Sequence, residues 1–390
     1  MTTKILALGD KCCGCSACHS ICPKKCIEMR SDGKGFLYPS VDESVCVSCG
    51  ACERVCPALS DAAERKPLAV YASKNRDESI RQKSSSGGVF SALAEKVIKE
   101  GGVVFGARFD SDWSVVHDSA DTIADLNAFR GSKYLQSVMG DCFSRAEKEL
   151  KAGRQVLFSG TPCQSLGLRK FLRKDYDNLL VVDFVCHGVP SPKVWHSYLD
   201  SVCPDTSCIS NISFRNKDGG WKKYRLRIDG SAGDESASRL VCEPFYENTF
   251  MRAFLWDLCL RPSCSHCPAK AGSSCSDITI GDYWGIENVM PELDDDRGVS
   301  LVMSYTEKGR QAFASVGVQN KESDYQKALA GNPSIERRVA KKPLGAMFWR
   351  LYGSCGLKIA VGGIAIVKAV SDFCYKCVRK LRRIMGWHQS

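Results

Sequence analysis

The chain has no run of the ~18 apolar residues that a membrane-spanning helix needs. Ile359–Val367 is apolar but short, and Lys358 and Lys368 bracket it. No secretory leader is expected, because Met1 to Asp10 contains one Lys and no long apolar core. No low-complexity tract occurs. With 44% apolar residues among 390, a disordered chain is excluded and two or three globular domains have room. Acid is scarce in one region only. From Lys341 to Ser390 there are ten Lys and Arg but a single acid, Asp372. That tail carries nearly all of the net charge of +10. The body is therefore balanced, and no nucleic-acid partner is expected.

Cysteine, by contrast, is plentiful, with 23 residues. Without a leader, these read as metal ligands or free thiols in a reducing compartment, and the expected location is the cytoplasm. Two runs repeat one spacing: Cys12-x2-Cys15-x2-Cys18-x3-Cys22-Pro23 and Cys46-x2-Cys49-x2-Cys52-x3-Cys56-Pro57. Each is the ferredoxin pattern for a 4Fe–4S cluster, in which the fourth cysteine serves the other cluster. One cluster is therefore assigned Cys12, Cys15, Cys18 and Cys56, and its partner Cys46, Cys49, Cys52 and Cys22. Zinc is the alternative, but it favours paired C-x2-C elements over a triple. Cys13 and Cys26 fall outside the pattern and read as packing residues or spare thiols. Exposed clusters are oxygen-sensitive, which suits an anaerobic or microaerobic cell.

The fold expected is α/β, with a mixed, mainly parallel sheet and a β-rich second half, preceded by a ferredoxin-like α+β module. The module covers 1–60, and Ser31–Pro39 within it reads as a hairpin or loop. Residues 66–150 and 151–330 form two parts of a core in which strands and helices alternate. Residues 331–390 form a basic amphipathic tail.

Three segments of the core suggest binding chemistry. Ser84-Ser-Ser-Gly-Gly88 precedes a helix and suits an anion at its N-terminus, since five small residues exceed what the alternative, a plain Ser cap, needs. Gly160-Thr-Pro-Cys-Gln164 and Cys186-His-Gly188 each follow a strand. If those strands are parallel, both loops open on one sheet edge. Together with Cys264-x2-Cys267, Cys163 and Cys186 would complete a third cluster. Buried packing cysteines, or a zinc site from Cys259, Cys264, Cys267 and Cys275, are the alternatives. His187 is the acid/base candidate, against a purely structural His. Arg130-Gly-Ser-Lys-Tyr134 sets a cation beside flexible backbone, and Tyr283-Trp284 stacks on a flat ring or belongs to the core.

In this order, Ser85-Ser-Gly-Gly88, Arg130–Tyr134, Gly160–Gln164, Cys186–Gly188, Cys264-x2-Cys267 and Ser276-Asp-Ile-Thr-Ile-Gly-Asp-Tyr-Trp284 resemble the coenzyme F-420 hydrogenase/dehydrogenase beta-subunit family over about residues 1–310. The resemblance implies an iron–sulfur flavoprotein that carries FAD, with Ser86, Gly87, Gly88 and Lys133 as FAD contacts and Thr161 and Gln164 beside them. It also implies deazaflavin or another organic molecule as substrate, with some similar bacterial proteins linked to polysaccharide synthesis. Cys275 stands where a basic or small residue is expected, which makes it an alternative ligand.

The reading is an oxidoreductase that passes electrons from a soluble partner such as ferredoxin through its clusters and FAD to a substrate. An electron-transfer subunit with no substrate of its own, and a cluster-bearing regulatory or scaffold protein, are the other readings. The tail, with Phe348, Trp349, Tyr352, Phe373, Tyr375 and Trp387, suits peripheral contact with anionic lipid at the inner membrane face, or with a partner protein.

Overall fold

The computed structural model describes residues 3–231, 238–340 and 343–384. Lys341, Lys342 and Trp387 of the basic tail lie outside them. β1 (Ile27–Ser31) and β2 (Leu37–Val41) pair antiparallel, so the segment between the cysteine motifs is a hairpin. Asp32 makes its turn: Oδ1 accepts from the peptide N–H groups of Lys34 at 2.9 Å and Phe36 at 2.8 Å.

The core is built on nine strands: β3 (Ala69–Asn75), β4 (Val103–Phe109), β5 (Val115–Ala120), β6 (Ser137–Val138), β7 (Val156–Gly160), β8 (Leu179–Phe184) and, after a separate meander, β12 (Ile278–Asp282), β13 (Ser300–Ser304) and β14 (Val318–Ser323). The meander is β9 (Ile209–Asn216), β10 (Arg225–Gly230) and β11 (Ser238–Pro244). The nine run in the order β14-β3-β13-β12-β8-β7-β4-β5-β6. The central run β12-β8-β7-β4 is parallel, and antiparallel strands flank it. β3 lies between β13 and β14, so residues from both parts of the core share one sheet.

The central strands are mostly apolar because both faces are covered, with Asp183 a buried exception. Successive residues alternate between layers. Phe105, Phe158 and Val181 pack toward the helices Cys142–Lys151 and Pro162–Leu172. Val104, Leu157 and Val182 pack toward the helix Val89–Lys99. The helix after β7 begins at Pro162, two residues before Gln164, because Thr161 caps it and proline suits its first turn. β14 is a strand that the apolar pattern misses. It is an edge strand whose residues Gln319 to Glu322 are all exposed.

The third layer is the meander. It packs against the helices Pro192–Val202 and Thr249–Leu255 and the first part of the C-terminal helix Pro343–Ile384. That last helix breaks at Gly356, where φ is 77° and ψ is 178°. Its segment Pro343–Ser371 is long and apolar enough to cross a membrane by length and composition. This corrects the reading of a short apolar stretch: Lys358 and Lys368 interrupt the run without lowering its average enough. Phe348 is wholly buried in the core rather than facing outward.

Candidate functional site

The two cysteine motifs fold alike. Between the first and second, and the second and third, cysteines of each run stands a residue of positive φ: Gly14 (67°) and Ser16 (65°), then Ser48 (52°) and Gly50 (67°). Two left-handed turns coil the chain tightly enough for three thiols to share one concavity. At Gly14 a side chain would also crowd the core, since a Cβ would lie 2.3 Å from Gln136 Nε2 and 3.0 Å from the Arg261 guanidinium.

Each fourth cysteine lies beside the other run. Cys22, Cys46, Cys49 and Cys52 line one small cavity. Burial, then charge on Cys12 and Cys56, pushes the Cys18 thiol up to about 12. Soft sulfur donors gathered in this way are what a 4Fe–4S cubane takes, and Cys26 lines the first cavity as a fifth thiol. The two concavities differ in exposure. Cys15 is buried, whereas Cys49 is exposed beside exposed Val45 and Val47. Neither extra cysteine is idle. Cys26 Sγ lies 3.4 Å from Cys22 Sγ. Cys13 meets both Cys15 and Cys163.

The module is locked to the core by Arg261, whose side chain is buried. Nε donates to Cys12 O at 2.9 Å, one terminal nitrogen to Gln136 Oε1 at 2.9 Å, and the other to Leu37 O at 2.8 Å. Its cation also lies over the Tyr38 ring at 4.3 Å. Cys15 then rests on the helix Pro162–Leu172, where a Cβ on Gly167 would meet its Sγ at 3.0 Å. Cys163 is one turn earlier on that helix, so the two thiols share a helix face.

Because β7, β8 and β12 are parallel, the loops that follow them open on one edge. This gathers Cys163 and Cys186 near Cys264 and Cys267, and charge on Cys163, Cys264 and Cys267 helps raise the Cys186 thiol beyond what burial does. The alternative ligands point elsewhere. Cys275 Sγ donates to Ser273 O at 3.6 Å, and Cys259 is wholly buried among apolar side chains.

Next to Cys186 lies a cavity of about 650 Å³, the size of a large organic ligand. Ser86, Gly88, Lys133, Thr161, Gln164 and His187 all line it. Gly87 does not. It is wedged between strands, where a Cβ would meet Ser73 O at 2.3 Å and Ser300 N at 2.6 Å, and its peptide N–H donates to Ser300 Oγ. Thr161 and Gln164 spend their side chains on a capping box, and Gln164 Nε2 also donates to Ser137 Oγ at 2.8 Å. The helix Val89–Lys99 opens on the cavity with no side-chain cap, leaving peptide N–H groups for an anion.

Of the two cations in Arg130–Tyr134, Arg130 is taken by Glu95 at 2.6 Å. Among the described residues Lys133 donates to two carbonyls, Arg130 O at 3.1 Å and Gly131 O at 3.3 Å, and its ammonium lies 5.7 Å from the centre of the Phe109 ring; burial lowers its amine to about 7. An uncapped helix start and a cation without a carboxylate fit a phosphate-bearing cofactor. His187 also lines the cavity, with Nε2 2.7 Å from Asp257 Oδ1 and its ring edge-on to Phe254, which in turn packs on Tyr134. The Tyr283-Trp284 pair divides. Tyr283 is buried, while Trp284 lines the cavity and stacks on Trp221 at 4.6 Å.

Two groups in the cavity wall carry no sequence motif. Arg215 pairs bidentately with Asp282 at 2.8 and 3.1 Å and lies 3.9 Å over the Tyr224 ring. Buried His117 contacts Ser137 Oγ at 2.8 Å and Ser159 O at 3.0 Å, and burial lowers it to about 4. Asp282 ends β12, but its partner arrives from the meander.

Family models match three stretches of the chain. Two describe the beta subunit of coenzyme F420 hydrogenase/dehydrogenase: its N-terminal part matches residues 70–142, and its C-terminal part matches residues 153–326. The third, a 4Fe-4S dicluster domain, matches residues 11–59. The chain belongs to this family of iron–sulfur oxidoreductase proteins, and it carries a 4Fe–4S domain. No curated protein matches it significantly. Among solved structures, a chain from the F420-reducing NiFe hydrogenase complex of Methanosarcina barkeri is 17% identical and aligns over 70% of this chain and 90% of its own, with a TM-score of 0.47.

Proposed function

We propose that this protein is a cytoplasmic iron–sulfur flavoprotein reductase. In this reading electrons pass from a soluble donor, through the cysteine-rich module, to FAD in the core cavity and on to a flat organic acceptor, of which a deazaflavin is one. One juxtaposition carries the reading: Cys13 and Cys15 of the module meet Cys163 of the core next to a cavity that also holds a cation without a carboxylate. FAD, when bound, supplies the exchange between single electrons and hydride that organic reductions require.

The residues divide the work. Exposed Cys49, with Val45 and Val47, offers the donor a contact at the outer cluster site. Cys163, Cys186, Cys264 and Cys267 would hold a third cluster between module and cavity. Lys133 and the start of the helix Val89–Lys99 hold the cofactor's phosphates, and Trp284, stacked on Trp221, and Tyr224, held between Phe245 and Arg215, form the wall beside its rings. His187, held by Asp257, is positioned to give or take a proton at the acceptor. A relay protein without a substrate would have no use for that pair in an open cavity.

Anaerobic purification followed by iron and flavin analysis tests the reading. Stoichiometric flavin is expected, with ~8 iron atoms for two clusters and ~12 for three. Protein that is folded but free of iron and flavin would end it.

Lys133 gives a second test. An anion binds its protonated form, and the free amine loses its proton near pH 7. Flavin affinity should therefore be highest below that pH and fall as pH rises above it. Lys133→Met should weaken flavin binding about 10- to 100-fold, the worth of one hydrogen bond to a charged group, and should flatten that pH slope. Flavin titration by fluorescence quenching reads both.

A further inference from the structure

The C-terminal helix has two apolar faces, and only one is used. After the break at Gly356, Leu357, Ala360, Val361 and Ile364 bury themselves on the body. Ile359, Ile366, Val370 and Phe373 lie on the opposite side, 56–68% exposed. Spaced by seven, four and three residues, they form one stripe about 21 Å long at 1.5 Å of rise per residue. Water is a poor neighbour for such a stripe.

We infer that this stripe seats the protein on an anionic lipid surface, with the helix lying in the plane of the membrane. Its orientation follows from the buried face. A helix tied to the body by Ala360, Val361 and Ile364 can offer lipid only its far side, so it lies on the bilayer rather than crossing it. Its charge supports the choice of partner. Exposed Lys358 flanks the stripe, and the chain continues into Lys376, Arg379, Lys380, Arg382 and Arg383, with Asp372 the only acid. Apolar residues followed by clustered cations match acyl chains beneath negative headgroups. A second copy of this chain would instead bring one basic tail against another.

Cosedimentation of the full-length holoprotein with vesicles tests the inference. Binding is expected to equal parts of phosphatidylglycerol and phosphatidylcholine, and to fall with added salt. Pure phosphatidylcholine should bind poorly. The double variant Ile366→Asp, Val370→Asp should bind at least about tenfold more weakly. Both sites are exposed, so unchanged iron content would confirm that the variant is folded. Failure to bind the anionic vesicles, equal binding to neutral ones, or full binding by the variant would each overturn it. So would a lipid-free dimer that the variant dissolves, because the stripe's occupant would then be a second copy. None of these readouts depends on flavin, so they stand apart from the redox reading.

Discussion

Arg261→Met is expected to loosen the cysteine-rich module from the core and to cost about 3–6 kcal/mol. Three acceptors, the half-buried Cys12 O and Leu37 O and the buried Gln136 Oε1, would each lose a charged donor at about 1–3 kcal/mol. Leu37 N still donates to Gln136 Oε1 at 3.1 Å, so that acceptor is only partly orphaned and the lower half of the range is the better guide. Against a typical stability of about 5–15 kcal/mol, this is a large fraction. Arg261→Lys should recover only part of it, because an ammonium keeps the charge but cannot reach three acceptors through a planar fork.

Denaturant unfolding followed through cluster absorbance measures the effect. The module's absorbance should be lost at lower denaturant than the core's circular dichroism, whereas in the native protein the two should coincide more closely. A variant within about 0.5 kcal/mol of the native protein, the range of neutral surface changes, would show that the module is held by other contacts.

The importance of Arg261 is invisible in the sequence, and the reason is general to this fold. Local patterns reveal what is made locally. The cysteine spacing requires only a short coil, and the apolar run Leu179–Val185 nearly bounds β8, which ends at Phe184. The glycine-punctuated segment between the motifs forms a hairpin as its composition suggests. What escapes is made by segments far apart in the chain. Arg261 reaches Cys12 across 249 positions. Arg215 meets Asp282 only because the meander folds over the sheet edge. Glycines before a helix often belong to a ligand loop, and Gly87 invites that reading. Its need for glycine comes instead from Ser73 and Ser300 on two neighbouring strands. The tail escapes for a different reason. Counting uninterrupted apolar residues treats one lysine as an end, whereas a helix averages over its turns, and Lys358 does not stop Pro343–Ser371 from being apolar overall.

Removing one crossing cysteine should destroy the cluster of the other motif. Cys56 belongs to the second run by sequence, yet it stands with Cys12 and Cys18. Cys56→Ala should therefore cost the cluster held mainly by the first run. Cys22→Ala should cost the one held by Cys46, Cys49 and Cys52, whose cavity Cys22 shares. Each variant should lose ~4 iron atoms, one cubane, so iron content alone cannot tell them apart. Exposure can. The site lost in Cys22→Ala is the one with exposed Cys49, and the survivor would sit around buried Cys15 against the helix Pro162–Leu172. That survivor should bleach slowly with chelator or air. In Cys56→Ala the survivor is the exposed site, which should bleach quickly. Ligation within each run would reverse the order, because Cys22→Ala would then spare the exposed cluster. Bleaching rates of the two variants, compared side by side, thus decide whether the two runs are knitted together. If they are, neither loop can close without the other, and the module folds as one unit around its metal.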